Sequence, residues 1–194
     1  MMASKIYQIK ISLNGCKPKI WRRVLIKSDM LLADLHKVIQ TTMGWSNSHL
    51  HQFVKNRTYY SCKVKGDDSW DDMDMVDYKK MKVSDLLAFE KEHVIYEYDF
   101  GDSWQHEVLL EKILPIDAKT TYPVCIKGKM NCPPDDCGGI WGYANMLEVI
   151  KQPNHEEYED LMDWLGGEFD PEFFDVEDVN ELLKEKDYGC FTFF

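Results

Sequence analysis

The stretch KIYQIKISLNGCKPKIWRRVLIK, residues 5–27, decides how the fold begins. Apolar and polar residues alternate over residues 9–13, which is typical of a half-buried strand. Asn14-Gly15 is a strong turn signal, and an apolar pattern returns over residues 20–26. The stretch therefore predicts a β-hairpin.

A helix is predicted directly after this hairpin. Apolar residues recur at helical spacing over residues 31–42, and Ser28 or Asp29 can cap the start. Gly44 lies where a helix commonly ends in a left-handed residue. We therefore expect one long helix early in the chain.

The rest of the chain changes from strands to helices. The middle predicts strands at residues 49–54, 57–64, 94–99 and 104–114, an exposed loop at 66–77 and a short helix at 83–89. The last third predicts helices over residues 143–150, from Asn154 to Leu165, and after Asp175. Because strands come first and helices last, we predict an α+β fold, in one domain over residues 1–194.

The composition is that of a folded protein without a membrane span. Hydrophobic residues make up 44% of the 194 positions, so a large core can form. No apolar run approaches the roughly 20 residues that cross a bilayer, and residues 1–10 lack a signal-peptide stretch. The six cysteines form no Cys-x-x-Cys pair, so we interpret them as reduced thiols. Without a span or a signal peptide, we expect a cytoplasmic protein that has no membrane partner.

Charge is distributed unevenly around a net value of −11. Residues 1–66 hold twelve Lys and Arg against two Asp, a charge of +10, whereas residues 67–194 hold eleven bases against thirty-two acids, a charge of −21. We interpret this as a basic hairpin that packs beside acidic helices. With three Arg and a pI of about 5.0, the chain is poorly suited to a nucleic-acid partner.

Three segments hold most of the side chains that could bind a ligand. In the first, His49 and His51 are two residues apart in a predicted strand, so they would face the same side. Two imidazoles on one face can share a metal ion. The alternative is that one is exposed and the other is a core histidine held by hydrogen bonds.

The second segment, residues 98–106, places carboxylates and an imidazole around a predicted tight turn. Asp102 could orient His106 as a catalytic base, with Asp99 and Trp104 as candidate ligand contacts. The alternative is structural, because Asp and Gly are favoured in turns for their backbone conformations.

The third segment, residues 131–143, is a Pro-rich acidic loop that leads into a predicted helix. Asp135 and Asp136 are candidate metal ligands, and the candidate ligand contacts are Cys132, Gly138 and Gly139. The carboxylates favour a cation over a phosphate at this helix start. The alternative is a rigid loop whose carboxylates cap the helix.

Together these segments resemble the plasmid pRiA4b ORF-3-like family. Over about residues 5–185 the matching motifs are Ile20-Trp21-Arg22-Arg23, Leu35-His36, Gly44-Trp45, His49-Leu50-His51-Gln52-Phe53, Tyr98-Asp99-Phe100-Gly101-Asp102-Ser103-Trp104-Gln105-His106, Cys132-Pro133-Pro134-Asp135-Asp136-Cys137-Gly138-Gly139 and Phe169-Asp170-Pro171-Glu172. Asp135 departs from the family's usual Glu, which keeps the charge and shortens the reach. The resemblance implies a roll-like, mixed and mostly antiparallel sheet and no established activity, although some relatives are labelled resolvase-like passenger proteins of insertion elements.

Two functions fit these features best. The first is a domain that binds a metal or small ligand in a His- and Asp-rich pocket, with a divalent metal ion as the expected cofactor and hydrolysis as its chemistry. The second is a non-enzymatic interaction module in which the same polar residues fix loops. A mobile-element accessory protein acting on DNA is disfavoured by the charge. The first function requires the three segments to meet in space.

Overall fold

Residues 5–27 form the predicted hairpin in a computed structural model that describes residues 4–63 and 75–191. Its strands are β1 (Ile6–Leu13) and β2 (Trp21–Lys27), which run antiparallel. Ile9 and Ile11 of β1 are fully buried, so the alternating pattern marks the face that packs on the core. The hairpin prediction is confirmed.

The other elements follow in chain order. They are α1 (Leu32–Met43), β3 (His51–Lys55), β4 (Thr58–Ser61), β5 (Met75–Asp77), α2 (Val83–Leu86), β6 (His93–Tyr98), β7 (Trp104–Leu114), β8 (Val124–Lys129), α3 (Gly139–Val149), α4 (Tyr158–Leu165) and α5 (Val176–Leu182). In the described residues, eight strands form one sheet in the order β5-β4-β3-β6-β7-β1-β2-β8. The pair β4–β5 is parallel and the other pairs are antiparallel, which confirms the α+β class with a mixed, mostly antiparallel sheet.

Helix α1 begins without the predicted polar cap. Its N-cap is Leu31, which pairs with Lys82 in an isolated bridge and makes no side-chain cap. The Ser28 hydroxyl instead accepts a backbone N–H at the start of β1, and Asp29 accepts a serine hydroxyl. Tertiary pairing therefore sets the start of α1, whereas the predicted end at Gly44 is confirmed by its φ of 96°.

Strands β3, β5 and β8 differ from the sequence-based expectations. Of the loop predicted at 66–77, residues 64–74 lie outside the described residues, but Met75–Asp77 is strand β5 beside β4, so the loop prediction is wrong there. Strand β3 begins at His51, two residues later than predicted. Strand β8 was not predicted at all.

Helices α3 and α4 end within one residue of the predicted positions but begin elsewhere. Helix α3 starts at Gly139, four residues early, and α4 follows Glu157, so the prediction of Asn154 as its cap is wrong. Gly166 ends α4 in the left-handed conformation, as predicted. Asp175 caps α5, because its carboxylate accepts two backbone N–H groups of the first turn.

Strand β8 lies at one edge of the sheet and is held by α5. The Asn180 side-chain amide accepts the N–H of Cys125 and donates to the carbonyl of the same residue, each over 2.8 Å. One side chain thus takes the hydrogen-bonding place that a neighbouring strand would take.

Charge compensation between the basic first third and the acidic remainder is seen at Lys37, which lies in α1 and not in the hairpin. Lys37 of α1 lies 2.6 Å from the carboxylate of Asp187, which joins the basic first third to the acidic end of the chain. All six cysteines are free thiols. No helix in the described ranges combines the length and apolar character needed to cross a membrane.

Candidate functional site

The turn between β6 and β7 fixes Asp99 at the end of β6. Its backbone is left-handed, with φ of 56°, a conformation that Asp adopts more readily than most residues. The Asp99 carboxylate accepts the N–H of Gly101 at 2.9 Å, and the Asp99 N–H donates to the carbonyl of Leu50. The carboxylate, in a residue only 7% exposed, is therefore held against the segment that precedes β3.

His49 lies in that preceding segment, between two carboxylates. Its Nδ1 is 3.7 Å from Asp99 Oδ1, and its Nε2 is 3.3 Å from Asp136 Oδ1. The second approach is an ion-pair distance, but its geometry is not that of a hydrogen bond, and Nε2 has no hydrogen-bond partner. One ligand atom from each of the three residues lies within 4.8 Å of the others, so all three predicted segments meet here.

In the acidic loop before α3, the carboxylates of Asp135 and Asp136 lie in different environments. Asp136 has a left-handed backbone with φ of 60°, and its side chain is 72% exposed beside His49. Asp135 turns inward, where its Oδ2 accepts the Ser46 backbone N–H at 3.1 Å and the Ser46 hydroxyl at 2.5 Å. Asp135 therefore anchors the loop, and Asp136 is the carboxylate that reaches the candidate cation site.

Buried aromatic rings form the floor beneath these carboxylates. The Trp45 ring lies 5.4 Å from the ring of Tyr98, 5.4 Å from that of Trp104 and 6.4 Å from that of His106. Trp104 and His106 are completely buried, on alternate positions of β7. Aromatic rings at these separations pack closely, so the floor is rigid.

The hydrogen bonds of His106 define its tautomer. Nδ1 lies 3.0 Å from the Trp104 carbonyl and 3.4 Å from the Tyr96 carbonyl, and carbonyl oxygens only accept, so Nδ1 carries the proton. Burial lowers the pKa of His106 to about 4. At neutral pH the ring is therefore uncharged, and its Nε2 is a hydrogen-bond acceptor.

The unpaired polar atoms of the described residues concentrate in this region. Five buried side-chain atoms have no hydrogen-bond partner: Trp45 Nε1, His49 Nε2, Trp104 Nε1, His106 Nε2 and Asp135 Oδ1. Native proteins leave few buried polar atoms unpaired. These unpaired donors and acceptors are candidate partners for a polar ligand.

His51 lies in a different cluster from His49. Its ring stacks on that of His36 with centroids 3.5 Å apart and planes 3° from parallel, and its Nε2 is 2.5 Å from the Tyr78 hydroxyl. Burial lowers the pKa of His51 well below its ordinary value, and the neighbouring His36 lowers it further. The structure thus separates the two histidines, because His49 precedes β3 and the strand's alternation does not include it.

Asp102 joins the β6–β7 turn to the start of α3. Its carboxylate accepts the Gly138 N–H at 3.1 Å, and a Cβ on Gly139 would lie 2.7 Å from the Asp102 carbonyl oxygen. Gly138 and Gly139 both have positive φ, so the loop can approach the turn closely. In the described residues no hydrogen bond connects Asp102 with His106.

Cys132 lies in the core beneath the acidic loop. The residue is 6% exposed, and burial raises the pKa of its thiol well above the ordinary value although the nearby Arg22 guanidinium lowers it. Burial likewise raises the pKa of Cys137 to about 12. Both side chains are therefore neutral thiols at physiological pH.

Sequence reasoning did not assign Trp45 or Ser46 to the site, or His36 to the separate cluster that contains His51. Trp45 and Ser46 follow the end of α1 directly, and the polar run that they open, residues 46–48, leads into His49. A polar run between a helix end and a histidine was an available signal. His36 belongs to the Leu35-His36 motif of the family resemblance, but a lone histidine within a helix is commonly structural.

In the residues that the structure describes, the fold and the site define an α+β protein with an eight-stranded sheet and a candidate cation- or ligand-binding cluster where three segments meet. The chain belongs to the plasmid pRiA4b ORF-3-like protein family, which it matches over residues 5–178. The resemblance noted in the sequence is thereby confirmed.

Two relatives extend this assignment. The chain is 31% identical over 166 residues to the uncharacterized protein y4hQ of Sinorhizobium fredii, which covers 86% of this chain and 84% of that protein. It is also similar to a crystal structure of a protein of unknown function, MM3350, from Methanosarcina mazei Go1. That similarity has a TM-score of 0.82 and 43% sequence identity, and it covers 92% of this chain and 99% of the other. These two relatives therefore support the fold, and their names state no activity.

Proposed function

We propose that this chain is a divalent-cation-binding domain whose centre is His49, Asp99 and Asp136, and that the bound cation supports hydrolysis. The supporting observation is the convergence of these residues, from three separate segments, with ligand atoms within 4.8 Å of one another. Asp99 and Asp136 hold left-handed backbone conformations that bring their carboxylates to the two nitrogens of one imidazole.

The donor set indicates which cations fit. One imidazole nitrogen and two carboxylate oxygens suit Zn²⁺, a borderline ion, and also Mn²⁺, a harder ion that accepts mixed nitrogen and oxygen ligands, whereas Mg²⁺ and Ca²⁺ prefer oxygen ligands alone. The two carboxylates also match the charge of a divalent ion. We therefore expect Zn²⁺ or Mn²⁺ to bind more tightly than Mg²⁺.

A cation held by three protein groups keeps positions for water and for a substrate. The exposed side chain of Asp136 leaves the centre accessible from solvent. A bound Zn²⁺ lowers the pKa of a coordinated water to about 7, which provides a nucleophile at neutral pH. This is the chemical basis for proposing hydrolysis.

The alternative, an interaction module whose polar residues only fix loops, describes Asp102 and Asp135 well, since both accept backbone N–H groups. It does not describe His49, whose Nε2 is buried and makes no hydrogen bond. The cation-binding proposal therefore depends on His49.

The test measures cation binding to the purified full chain. We expect Zn²⁺ or Mn²⁺ to bind in isothermal titration calorimetry and to stabilise the fold by about 2.7 kcal/mol at a hundredfold excess over Kd. The variants His49→Ala and Asp136→Asn should lose this response. Asn is chosen at position 136 because it also adopts positive φ readily.

Two matched variants serve as controls. His93→Ala and Asp163→Asn change exposed residues of the same types outside the cluster, and they should bind like the unmodified chain. Equal binding by all five proteins, or no binding of Zn²⁺ and Mn²⁺ at all, would refute the proposed centre. Metal-dependent cleavage of p-nitrophenyl acetate or phosphate tests hydrolysis, and binding without cleavage of either would remove that part of the proposal.

A further inference from the structure

A groove of about 420 Å³ lies between α3 and α4, and Asp136 and Cys137 of the acidic loop also line it. Its apolar lining comes from both helices, with Met146 and Val149 on α3 and Leu161 and Trp164 on α4. Met146 and Val149 are almost fully buried, whereas Trp164 is 51% exposed. The groove thus has a closed apolar base and an aromatic ring at its open side.

Helix α4 has an apolar face that the rest of the chain covers only in part. None of its residues is buried, although Leu161 and Trp164 lie on the groove side at helical spacing. Most helices in globular proteins are stabilised by burying their apolar face. A second surface placed against α4 would complete that burial.

The edge of the groove is strongly acidic. Residues 139–167 contain six acids and one Lys, a charge of −5, and Lys151 is paired with Glu148. Glu157 and Asp160 line the groove and form no ion pair within the described ranges. The partial compensation seen at Lys37 and Asp187 therefore does not extend to α4.

We propose that this groove docks a basic amphipathic segment of a partner protein. One aliphatic or aromatic side chain of the segment packs on Met146 and Leu161, and its Lys or Arg residues lie beside Glu157 and Asp160. Both parts of the groove are needed for this partner. The apolar base provides affinity, and the acidic edge favours a positively charged segment over a neutral or negative one. A second copy docking through the same face would oppose like charges, and nucleic acid would be repelled.

The test uses the full chain and a fluorescent synthetic peptide of about 14 residues, made of Lys with Leu recurring at helical spacing. A peptide with Glu in place of Lys is the reference. Fluorescence anisotropy in EDTA should show binding of the Lys peptide, weakened by added salt, and no binding of the Glu peptide. EDTA makes the result independent of the cation site, and His49→Ala should bind the Lys peptide normally.

Matched variants separate docking in the groove from general attraction. The double variant Glu157→Gln with Asp160→Asn should weaken binding about tenfold, whereas Glu159→Gln with Asp163→Asn, which removes the same charge from other faces of α4, should change it less than about twofold. Trp164→Ala should also weaken binding, because it removes apolar contact at a half-exposed position.

Three results would overturn the proposal. Equal weakening by the two double variants would show that overall charge attracts the peptide. Absence of binding by the Lys peptide would leave the groove without its stated partner. Light scattering that shows dimers, dissociated by the Glu157 and Asp160 changes, would assign the groove to a second copy of the chain.

Discussion

At Gly139 the chain approaches the β6–β7 turn so closely that a single methyl group matters. A Cβ there would lie 2.7 Å from the Asp102 carbonyl oxygen, and φ is 66°. We expect Gly139→Ala to lower the free energy of unfolding by about 2–4 kcal/mol, measured by urea denaturation. Gly166 has nearly the same φ, 71°, but has nothing within 4 Å of its added Cβ.

Gly166→Ala is therefore the control for backbone strain alone, and we expect it to cost about 1 kcal/mol. The difference between the two variants measures the contact with Asp102. If both lose the same amount, the junction between the turn and α3 is looser than the structure shows.

Single residues also show where sequence reasoning about the site stopped. The two-residue spacing of His49 and His51 predicted one shared face, but β3 begins at His51 and the two rings lie in different clusters. Residue types identified the three segments that meet. They could not show which atoms point inward, because that depends on left-handed residues such as Asp99 and Asp136.

At the scale of elements, the sequence offered two cap residues for the C-terminal helices, and only Asp175 caps a helix in the structure. Asp175 accepts two N–H groups at the start of α5, so Asp175→Ala should cost about 1 kcal/mol of unfolding free energy in urea denaturation. Asn154 was an equally good candidate by sequence but caps no helix. Asn154→Ala should stay within about 0.5 kcal/mol of the unmodified chain.

A loss at Asn154 as large as that at Asp175 would contradict this assignment of the caps. The physical lesson is that a cap depends on where the helix starts. That start is fixed by packing of the whole element, as the bridge between Leu31 and Lys82 shows for α1.

Strong periodicity predicted the hairpins and long helices, and weak periodicity explains the two missed strands. Strand β8 reads VCIKGK and buries only Cys125, so it lacks the alternation of β1. Strand β5 has three residues and joins the sheet through parallel pairing with β4, a long-range contact that local pattern does not contain.

At the scale of the whole molecule, we expect acid to destabilise the fold, because the imidazoles of His36, His51 and His106 are buried and neutral. Burial lowers the pKa of His36 and His106 to about 4, and that of His51 well below its ordinary value. In the unfolded chain these rings titrate near 6.5, so below that pH the unfolded state binds more protons. The free energy of unfolding should therefore decrease as pH falls from about 6.5 to 4, by on the order of 3 kcal/mol for each of His36 and His106.

Urea denaturation at several pH values across this window measures the effect. Above about pH 7 the contribution of these rings should be constant, since they are neutral in both states. His106→Gln should flatten the pH dependence, whereas His93→Gln, at an exposed position, should not. Equal slopes for both variants would assign the acid sensitivity to carboxylates instead.

The two hydrogen bonds between the Asn180 side chain and the Cys125 backbone affect how the protein should behave at high concentration. An uncovered outer strand offers its backbone to any other extended chain, which is a common route to aggregates and fibres. The side-chain amide of Asn180 in α5 already bonds both the N–H and the carbonyl of Cys125. Growth of the sheet from one molecule into the next is thereby blocked at that position, and the acidic C-terminal helices contribute to keeping copies of the chain apart.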